Sequence, residues 1–380
     1  MANKCVKGKT FFGFIQRIYT IFANSTKRWE ILKDNLKAWS LKSLCQTRWE
    51  SRVESVKAIK MQLVDVREAL LQAGEKDNDV AIASEATSLV EKELGDFEFL
   101  VSTVMWHEVL NHVNIVSKKL QSKDMHLDNA ITDINKLIGY FKDYRETGFL
   151  KVIDEAKDIA IEMDIDPIFP QKRLIERRKR FDEISSREEV SFTPEENFIV
   201  NYFLYIVDQA ISSPETRFEQ FKEYEKVFGF LFPHNLKGIE DKDLKSSCHR
   251  LEKALEFQER SDTDVEELYT ELKLFETLET NEFNNPIDVL KFLKELDYFP
   301  NASIAYRILL TIPVTVASAE RSFSKLKLLK SYLRSTMSQE RLSGLAMISI
   351  ENEILESIDY EELLNQFAIK NAMRASQIVG

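Results

Sequence analysis

Residues 310–351 read LTIPVTVASAERSFSKLKLLKSYLRSTMSQERLSGLAMISIE, and this stretch carries the most specific pattern in the chain. It opens with an apolar run around Pro313 that is typical of a short β-strand, and it turns polar at Ser318. We expect Ser318 to cap a helix, which puts Glu320 in the first turn, where the helix dipole favours a carboxylate. One stripe of this helix is predicted to be buried, because apolar residues recur every three or four positions at Ala319, Phe323, Leu326, Leu329 and Leu333.

A second helix follows directly. Thr336 and Gln339 have the spacing of a capping box, which predicts a helix start at this point. The helix is apolar nearly all round, at Leu342, Leu345, Ala346, Met347, Ile348, Ile350 and Ile354. A helix that is apolar on every side has to be covered, either by the rest of its own chain or by a second copy.

Composition limits the class of protein. The chain has 380 residues, 44% hydrophobic and 30% charged, with only 10 glycines and 8 prolines, and its first proline is Pro167. These figures predict long helices, short loops and a large core. A net charge of −11 opposes non-specific nucleic-acid binding, and no apolar run reaches the ~18 residues of a membrane span. Three scattered cysteines predict neither a disulfide framework nor a zinc site.

Upstream, residues 10–40 are predicted to form one or two helices with a break near Asn24 and Ser25. Thr47 and Glu50 form a second capping box, which predicts one helix running to a C-cap at Gly74. Its buried stripe would contain Trp49, Val53, Val56, Ile59, Leu63, Val66 and Leu70.

Two groups of charged or metal-binding side chains were weighed for function. The densest basic cluster, at Lys172, Arg173, Arg177, Arg178, Lys179 and Arg180, fits a solvated face, a nuclear-import signal or a DNA contact. His107 and His112 are five residues apart, which is not the spacing that pairs two ligands on one helical face, so we predict no metal site there.

The segment PVTVASAERSFSKLKLLKSYLRSTMSQERL (313–342) resembles the C-terminal dimerisation region of hAT (hobo/Ac/Tam) transposases, and is most similar to their zinc-finger MYM-type and TTF-type domesticated relatives. LKSLCQTRWESRVESVKAIK (41–60) resembles the Thr-Arg-Trp segment of the same family, and RFEQFKEYEKVFGFL (217–231) its central helical region. The resemblance implies a mainly α protein that combines a helical insertion with the last helices of a ribonuclease-H-like core, most of whose β-sheet is missing. It divides the chain into core helices at 1–45, an all-helical insertion at 46–300 and the dimerisation region at 301–370.

The resemblance also assigns residues. Glu320 corresponds to the third catalytic carboxylate of the family, which holds Mg²⁺ together with two aspartates on upstream strands. We find no counterpart of those aspartates in this sequence, so we expect no catalysis by this chain alone and no cofactor, with Mg²⁺ required only by a complete triad. DNA contacts are predicted at Arg48, Trp49, Arg321 and Lys325, although Trp49 also fits a plain core anchor. Dimerisation is predicted through Phe323, Leu326, Leu333, Leu342, Leu345 and Ile348.

Three hypotheses remain open at this point. The first is a nuclear, transposase-derived protein that pairs with itself or with related hAT proteins and has no membrane or small-molecule partner; a cytoplasmic location is the alternative. The second is a C-terminal fragment of an active DDE-type DNA transposase. The third is a DNA-binding regulator that uses local basic patches, despite the acidic composition.

Overall fold

The fold was obtained as a computed structural model. It describes residues 5–44, 49–77, 79–122, 125–171, 192–258, 260–278, 283, 285–315, 317–330 and 336–378, with the main chain alone at 49, 317–319, 321, 353 and 371–378. The chain divides into two compact units, Met1–Ile312 and Pro313–Gly380. Within the described residues the secondary structure is helical and no β-strand forms, so the predicted mainly α class is confirmed.

Fifteen α-helices lie in the first unit and four in the second, counting the described residues. The first unit contains α1 (Val6–Ala23), α2 (Thr26–Asn35), α3 (Trp49–Met61), α4 (Leu63–Lys76), α5 (Val80–Ser88), α6 (Phe97–Leu120), α7 (Leu127–Glu162), α8 (Pro194–Phe198), α9 (Leu204–Arg217), α10 (Glu219–Phe228), α11 (Pro233–Leu236), α12 (Asp241–Leu255), α13 (Val265–Thr277), α14 (Pro286–Leu296) and α15 (Pro300–Thr311). The second contains α16 (Ala317–Leu329), α17 (Gln339–Ile350), α18 (Asn352–Glu356) and α19 (Glu361–Ile378). In the described part of the chain, no helix combines the length and the apolar character needed to cross a membrane.

Two hydrophobic clusters fill the first unit, and α7 contributes to both. The first cluster draws its buried residues from α1 to α9, and the second from α10 to α15. Leu127, at the start of α7, belongs to the second cluster, whereas Phe141, Val152 and Ala160 further along belong to the first. At 36 residues, α7 is about 54 Å long, which is enough to serve both clusters.

The predicted helix break near Asn24 is confirmed, but the single helix predicted from residue 47 to Gly74 is wrong. Ser25 caps α2 by accepting a hydrogen bond from the Arg28 amide. Downstream, Gln62 separates α3 from α4, because its side-chain oxygen accepts from the amides of Ala38 and Trp39 while its nitrogen donates to two carbonyls. The stripe from Val53 to Leu70 is nevertheless buried as predicted, and Gly74 lies inside α4. The predicted cap at Thr47 lies outside the described residues.

The second unit begins differently from the prediction made for residues 310–339. Residues 310 and 311 end α15 rather than forming a strand, because the helix that starts at Pro300 buries Ala302, Tyr306 and Leu309 at helical spacing. Ser318 lies within α16, which begins at Ala317 and still holds Glu320 in its first turn. At α17 the cap is Ser338 rather than Thr336; the Ser338 backbone is extended and its hydroxyl accepts from the Arg341 amide.

A hydrogen-bonded junction joins α13 to α15 near the end of the first unit. The Glu271 carboxylate accepts from the backbone amides of Asn301 and Ala302, at 3.1 and 2.7 Å, and so satisfies the first amides of α15. The buried Asn301 side chain donates to Glu271 and Glu267 and accepts from the Asp264 amide. The Asn301 side chain, at the start of α15, therefore also holds the start of α13.

A polar group lies between α3, α6 and α7. The nearly buried Lys60 ammonium lies 2.7 Å from a Glu155 carboxylate oxygen and 3.3 Å from Nδ1 of His107. Burial, with the Lys60 cation adding to it, lowers the pKa of His107 to about 4 from its ordinary 6.5. His107 is therefore a neutral imidazole at pH 7 whose Nδ1 can accept a hydrogen bond from Lys60.

Gly148 in α7 is expected to resist substitution for a steric reason. A Cβ at Gly148 would lie 2.3 Å from a ring carbon of Tyr144, whereas one at Gly139 in the same helix would meet nothing within 4 Å. Helix propensity alone favours alanine over glycine by about 0.8–1 kcal/mol. We therefore expect Gly139→Ala to raise the free energy of unfolding by up to that amount and Gly148→Ala to lower it. Chemical denaturation followed by the fluorescence of the buried Trp106 tests this, and equal shifts for the two variants would contradict it.

His107 is expected to make stability depend on pH in a defined window. Its pKa is lowered in the folded protein, so the unfolded chain takes up a proton between about pH 6.5 and 4 that the folded chain does not. The contribution of His107 to the free energy of unfolding is fully present above about pH 6.5 and is lost as the pH drops toward 4. His107→Asn, which keeps an acceptor near Lys60, should lose less stability over that window than the wild type. Urea unfolding at pH 7, 6 and 5 measures the difference, and parallel pH curves would rule out this role.

Candidate dimerisation surface

The candidate surface lies on the helical hairpin formed by α16 and α17, which pack against each other in the second unit. The Lys325 ammonium donates hydrogen bonds to the main-chain carbonyls of Ser349 and Ile350 at the end of α17. Those carbonyls have no partner further along the helix, and a cation at this end also suits the helix dipole. Lys325 is thus used within the unit to hold the two helices together.

The apolar side chains of this hairpin are largely uncovered. Leu342 is the one buried residue among the described side chains of α16 and α17, and Leu326, Leu329, Leu345, Ala346 and Ile350 are half-buried. Large apolar side chains on the outside remain far more exposed, namely Phe323 at 70%, Leu328 at 81%, Met347 at 67% and Ile348 at 50%. Large apolar side chains left uncovered on both helices of the hairpin indicate an interaction surface.

The six residues predicted to carry dimerisation have different positions in the structure. Phe323 and Ile348 lie on the exposed face. Leu326 and Leu345 are half-buried and Leu342 is buried, whereas Leu333 lies outside the described residues. The role of all six residues in dimerisation stays a prediction. By their exposure, Phe323 and Ile348 can contact a partner directly, whereas Leu342 is buried within the hairpin.

The residues predicted for DNA binding and catalysis fall in both units, and several of them lie outside what the structure describes. Arg48 lies outside it, and the side chains of Trp49 and Arg321 are not among those described. Lys325 donates to α17 as given above, and its contact with DNA stays a prediction. Glu320 is exposed in the first turn of α16. Its role as a remnant of a catalytic carboxylate likewise stays a prediction.

The two histidines that were weighed as metal ligands have other partners. The His112 ring stacks on Tyr140 with centroids 3.8 Å apart, and the Tyr140 hydroxyl donates to Glu108 at 2.6 Å. Burial, followed by that hydrogen bond, raises the pKa of Tyr140 well above its ordinary value. Among the described residues, no group of three or more His, Cys, Asp or Glu side chains is placed to hold a metal ion.

Part of the exposed apolar surface does not follow from the predicted stripes. Leu328 lies outside the helical stripe that we predicted for α16, yet it is the most exposed apolar side chain of the hairpin. Beyond the hairpin, α19 exposes Leu363, Leu364 and Phe367, a stretch treated only as a last helix and tail. Their spacing on one side of a helix that begins with Glu361 and Glu362 was a detectable signal.

Comparison with known proteins agrees with these observations. The profile of the hAT family C-terminal dimerisation region matches residues 265–354, a range that contains the hairpin and extends back to α13. The "52 kDa repressor of the inhibitor of the protein kinase" of Mus musculus is 25% identical over 359 residues, covering 90% of this chain and 44% of the relative. Its Homo sapiens counterpart is 24% identical over 355 residues, covering 90% of this chain and 43% of the relative. No solved structure matches the chain.

The chain spans somewhat under half the length of these curated relatives, and the family profile covers the last part of the first unit and more than half of the second. The boundaries predicted at residues 45 and 300 stay predictions. Residues 265–354 of the chain match the C-terminal dimerisation region of the hAT family.

Proposed function

We propose that this chain is a hAT-derived assembly protein that acts by dimerising through the exposed apolar side chains of α16 and α17, with itself or with a related hAT protein. The observation that carries the proposal is the exposure of Phe323, Leu328, Met347 and Ile348 within the range that the family profile matches. A two-fold contact is the commonest way in which such a surface is closed.

The proposal gives the chain a regulatory role and no catalytic step of its own. The two curated relatives described above are named as repressors, which supports regulation by assembly rather than strand transfer. In this proposal Glu320 serves as an N-terminal charge of α16, where the helix dipole stabilises a carboxylate. The competing hypothesis, a C-terminal fragment of an active transposase, predicts Mg²⁺-dependent cleavage of supercoiled plasmid when the chain is mixed with a transposase segment that carries the two aspartates, and no cleavage by that mixture would remove it.

The dimer should depend on Met347 and Ile348. Met347→Asp with Ile348→Asp places charges on the exposed face without touching Leu342 or the half-buried Leu345, whose replacement would disturb the hairpin itself. Burying a side chain of this size contributes about 1.5–3 kcal/mol, so we expect the dimer dissociation constant to rise roughly 100-fold or more. Size-exclusion chromatography with light scattering over a hundredfold dilution measures this.

A matched control is available in α7. Leu150 and Ile161 are as exposed as Met347 and Ile348 but lie outside the proposed surface, so Leu150→Asp with Ile161→Asp should leave the dimer intact. A wild-type chain that runs as a folded monomer throughout would remove the proposed function. The proposed function would also be rejected if the variant Met347→Asp with Ile348→Asp dimerised as tightly as the control variant.

We also propose that the protein works in the nucleus and that the basic cluster from Lys172 to Arg180 acts as its import signal. The support is the density of lysine and arginine in that segment of the sequence. A fluorescent fusion should accumulate in the nucleus, and replacing Arg177, Arg178, Lys179 and Arg180 by alanine should distribute it through the cell. Unchanged nuclear accumulation would assign import to another segment.

A further inference from the structure

A polar groove of about 460 Å³ lies between α6 and α7 in the first unit. That volume falls within the roughly 300–1,000 Å³ that is typical of ligand-binding pockets. Three carboxylates line the groove, at Glu108, Asp143 and Glu155, together with one lysine, Lys151. The Lys60 cation pairs with Glu155. Even with both lysines counted, the groove keeps an excess of negative charge.

One polar group of this groove lacks a partner. Tyr144 lines the groove and is 6% exposed, and its hydroxyl makes no hydrogen bond within the described residues. A buried hydroxyl without a partner costs free energy, which makes a missing ligand the natural explanation. Burial, followed by the Glu108 charge, Tyr140 and Glu155, raises the pKa of Tyr144 well above its ordinary value. The hydroxyl is therefore neutral, and it lies where two carboxylates of the groove act on it.

Those two carboxylates are each fixed through one oxygen. Oε1 of Glu108 accepts from the Tyr140 hydroxyl at 2.6 Å and lies 3.5 Å from Nδ1 of His112. Oε1 of Glu155 lies 2.7 Å from the Lys60 ammonium. Among the described residues, the second oxygen of each carboxylate has no such contact. The groove therefore offers acceptors that its own side chains orient but do not use.

These acceptors match a guanidinium group better than other cations. Within the described residues, no three His, Cys, Asp or Glu side chains are placed to hold a metal ion, so the negative charge is spread along the groove. A guanidinium presents five N–H donors in a planar fork and stays charged at any physiological pH, whereas an ammonium presents three donors from one point. Spread acceptors with few competing donors therefore favour arginine.

We propose that the groove between α6 and α7 binds an arginine side chain of a partner protein, whose guanidinium donates to the Tyr144 hydroxyl and to Glu108. Asp143 and Glu155 add to the negative potential that attracts it. The contact supplies the partner that the Tyr144 hydroxyl lacks. This site belongs to the first unit and uses no residue of the dimerisation surface, so it goes beyond the proposed function and is tested apart from it.

Three peptides that differ in one side chain test the class of ligand. The peptide acetyl-glycyl-arginyl-glycine amide should bind the full chain with a dissociation constant of about a millimolar or below in isothermal titration calorimetry at low salt. The citrulline peptide, which keeps the shape without the charge, should not bind. The lysine peptide should bind at least about fivefold more weakly. Equal affinities for the arginine and lysine peptides, or no binding of the arginine peptide, would overturn the proposal.

Two tyrosine variants separate the site from a structural role. Tyr144→Phe removes only the hydroxyl without a partner, so the affinity for the arginine peptide should fall about tenfold while the free energy of unfolding stays the same or rises. Tyr202→Phe removes a hydroxyl that accepts from the Trp106 indole at 2.8 Å, so it should lower the free energy of unfolding and leave the peptide affinity unchanged. Equal loss of peptide affinity in both variants, or none in Tyr144→Phe, would contradict the assignment.

Two glutamate variants separate the site from the overall charge. Glu108→Gln removes a charge but keeps an oxygen that accepts from Tyr140, whereas Glu162→Gln removes the same charge from an exposed position of α7 outside the groove. The first should weaken arginine binding about tenfold or more, and the second should leave it unchanged. Equal effects would indicate attraction by net charge and would sink the proposal.

Dimerisation measured by light scattering keeps this inference distinct from the proposed function. The variants of Tyr144 and Glu108 should dimerise like the wild type, because their changes lie in the first unit. A chain that binds the arginine peptide but stays monomeric would reject only the proposed function. A chain that dimerises but does not bind this peptide would reject only the arginine site.

Discussion

The first unit depends on one long helix that takes part in two hydrophobic clusters. α7 begins with Leu127 in the cluster formed by α10 to α15 and continues with Phe141 and Val152 in the cluster formed by α1 to α9. A helix of 36 residues is a rigid element about 54 Å long. Packing either cluster therefore also fixes the position of the part of α7 that belongs to the other cluster. The close contact between Gly148 and Tyr144 lies inside this helix, so its packing affects more than its immediate neighbours.

The two units differ in how far they cover their apolar residues. In the first unit the largest side chains are fully buried, and polar atoms such as the indole nitrogen of Trp106 find a partner, the Tyr202 hydroxyl at 2.8 Å. In the second unit one apolar side chain among those described is buried, and large ones such as Phe323 and Phe367 lie open. Burial contributes about 25 cal/mol for each Å² of apolar surface, so this unit gains much more from a partner than the first.

Sequence periodicity predicted the structural features that depend only on residues close together in the chain. The stripe from Val53 to Leu70 and the break at Ser25 follow from neighbours in sequence, and both were found. The break at Gln62 was not predictable, because it depends on hydrogen bonds to Ala38 and Trp39 more than twenty residues away. The cap of α17 was misplaced by two residues, since Thr336 and Ser338 are equally good capping side chains and only the backbone selects Ser338.

The same limit applies to the candidate surface. Helical spacing identified Phe323 and Ile348 as apolar positions, but it could not tell them from Leu326 and Leu345, which the facing helix partly covers. That distinction exists only when α16 and α17 are packed. The DNA contact predicted at Lys325 meets the same difficulty, because charge alone does not show that this lysine already donates to the end of α17.

Lys325 explains how the hairpin sorts its side chains. Positions two residues apart on a helix point about 200° apart, so anchoring Lys325 on the last carbonyls of α17 turns Phe323 away from the hairpin. Lys327 and Lys330 lie within about 40° of Phe323 around the helix, so they are turned outward with it. One interaction within the unit therefore turns Phe323 and these two lysines outward together, whereas Leu328, about 60° from Lys325 around the helix, is exposed on another side of α16. The lysine that holds the hairpin and the lysines that can meet a partner are different residues, although the sequence presents them as one basic run.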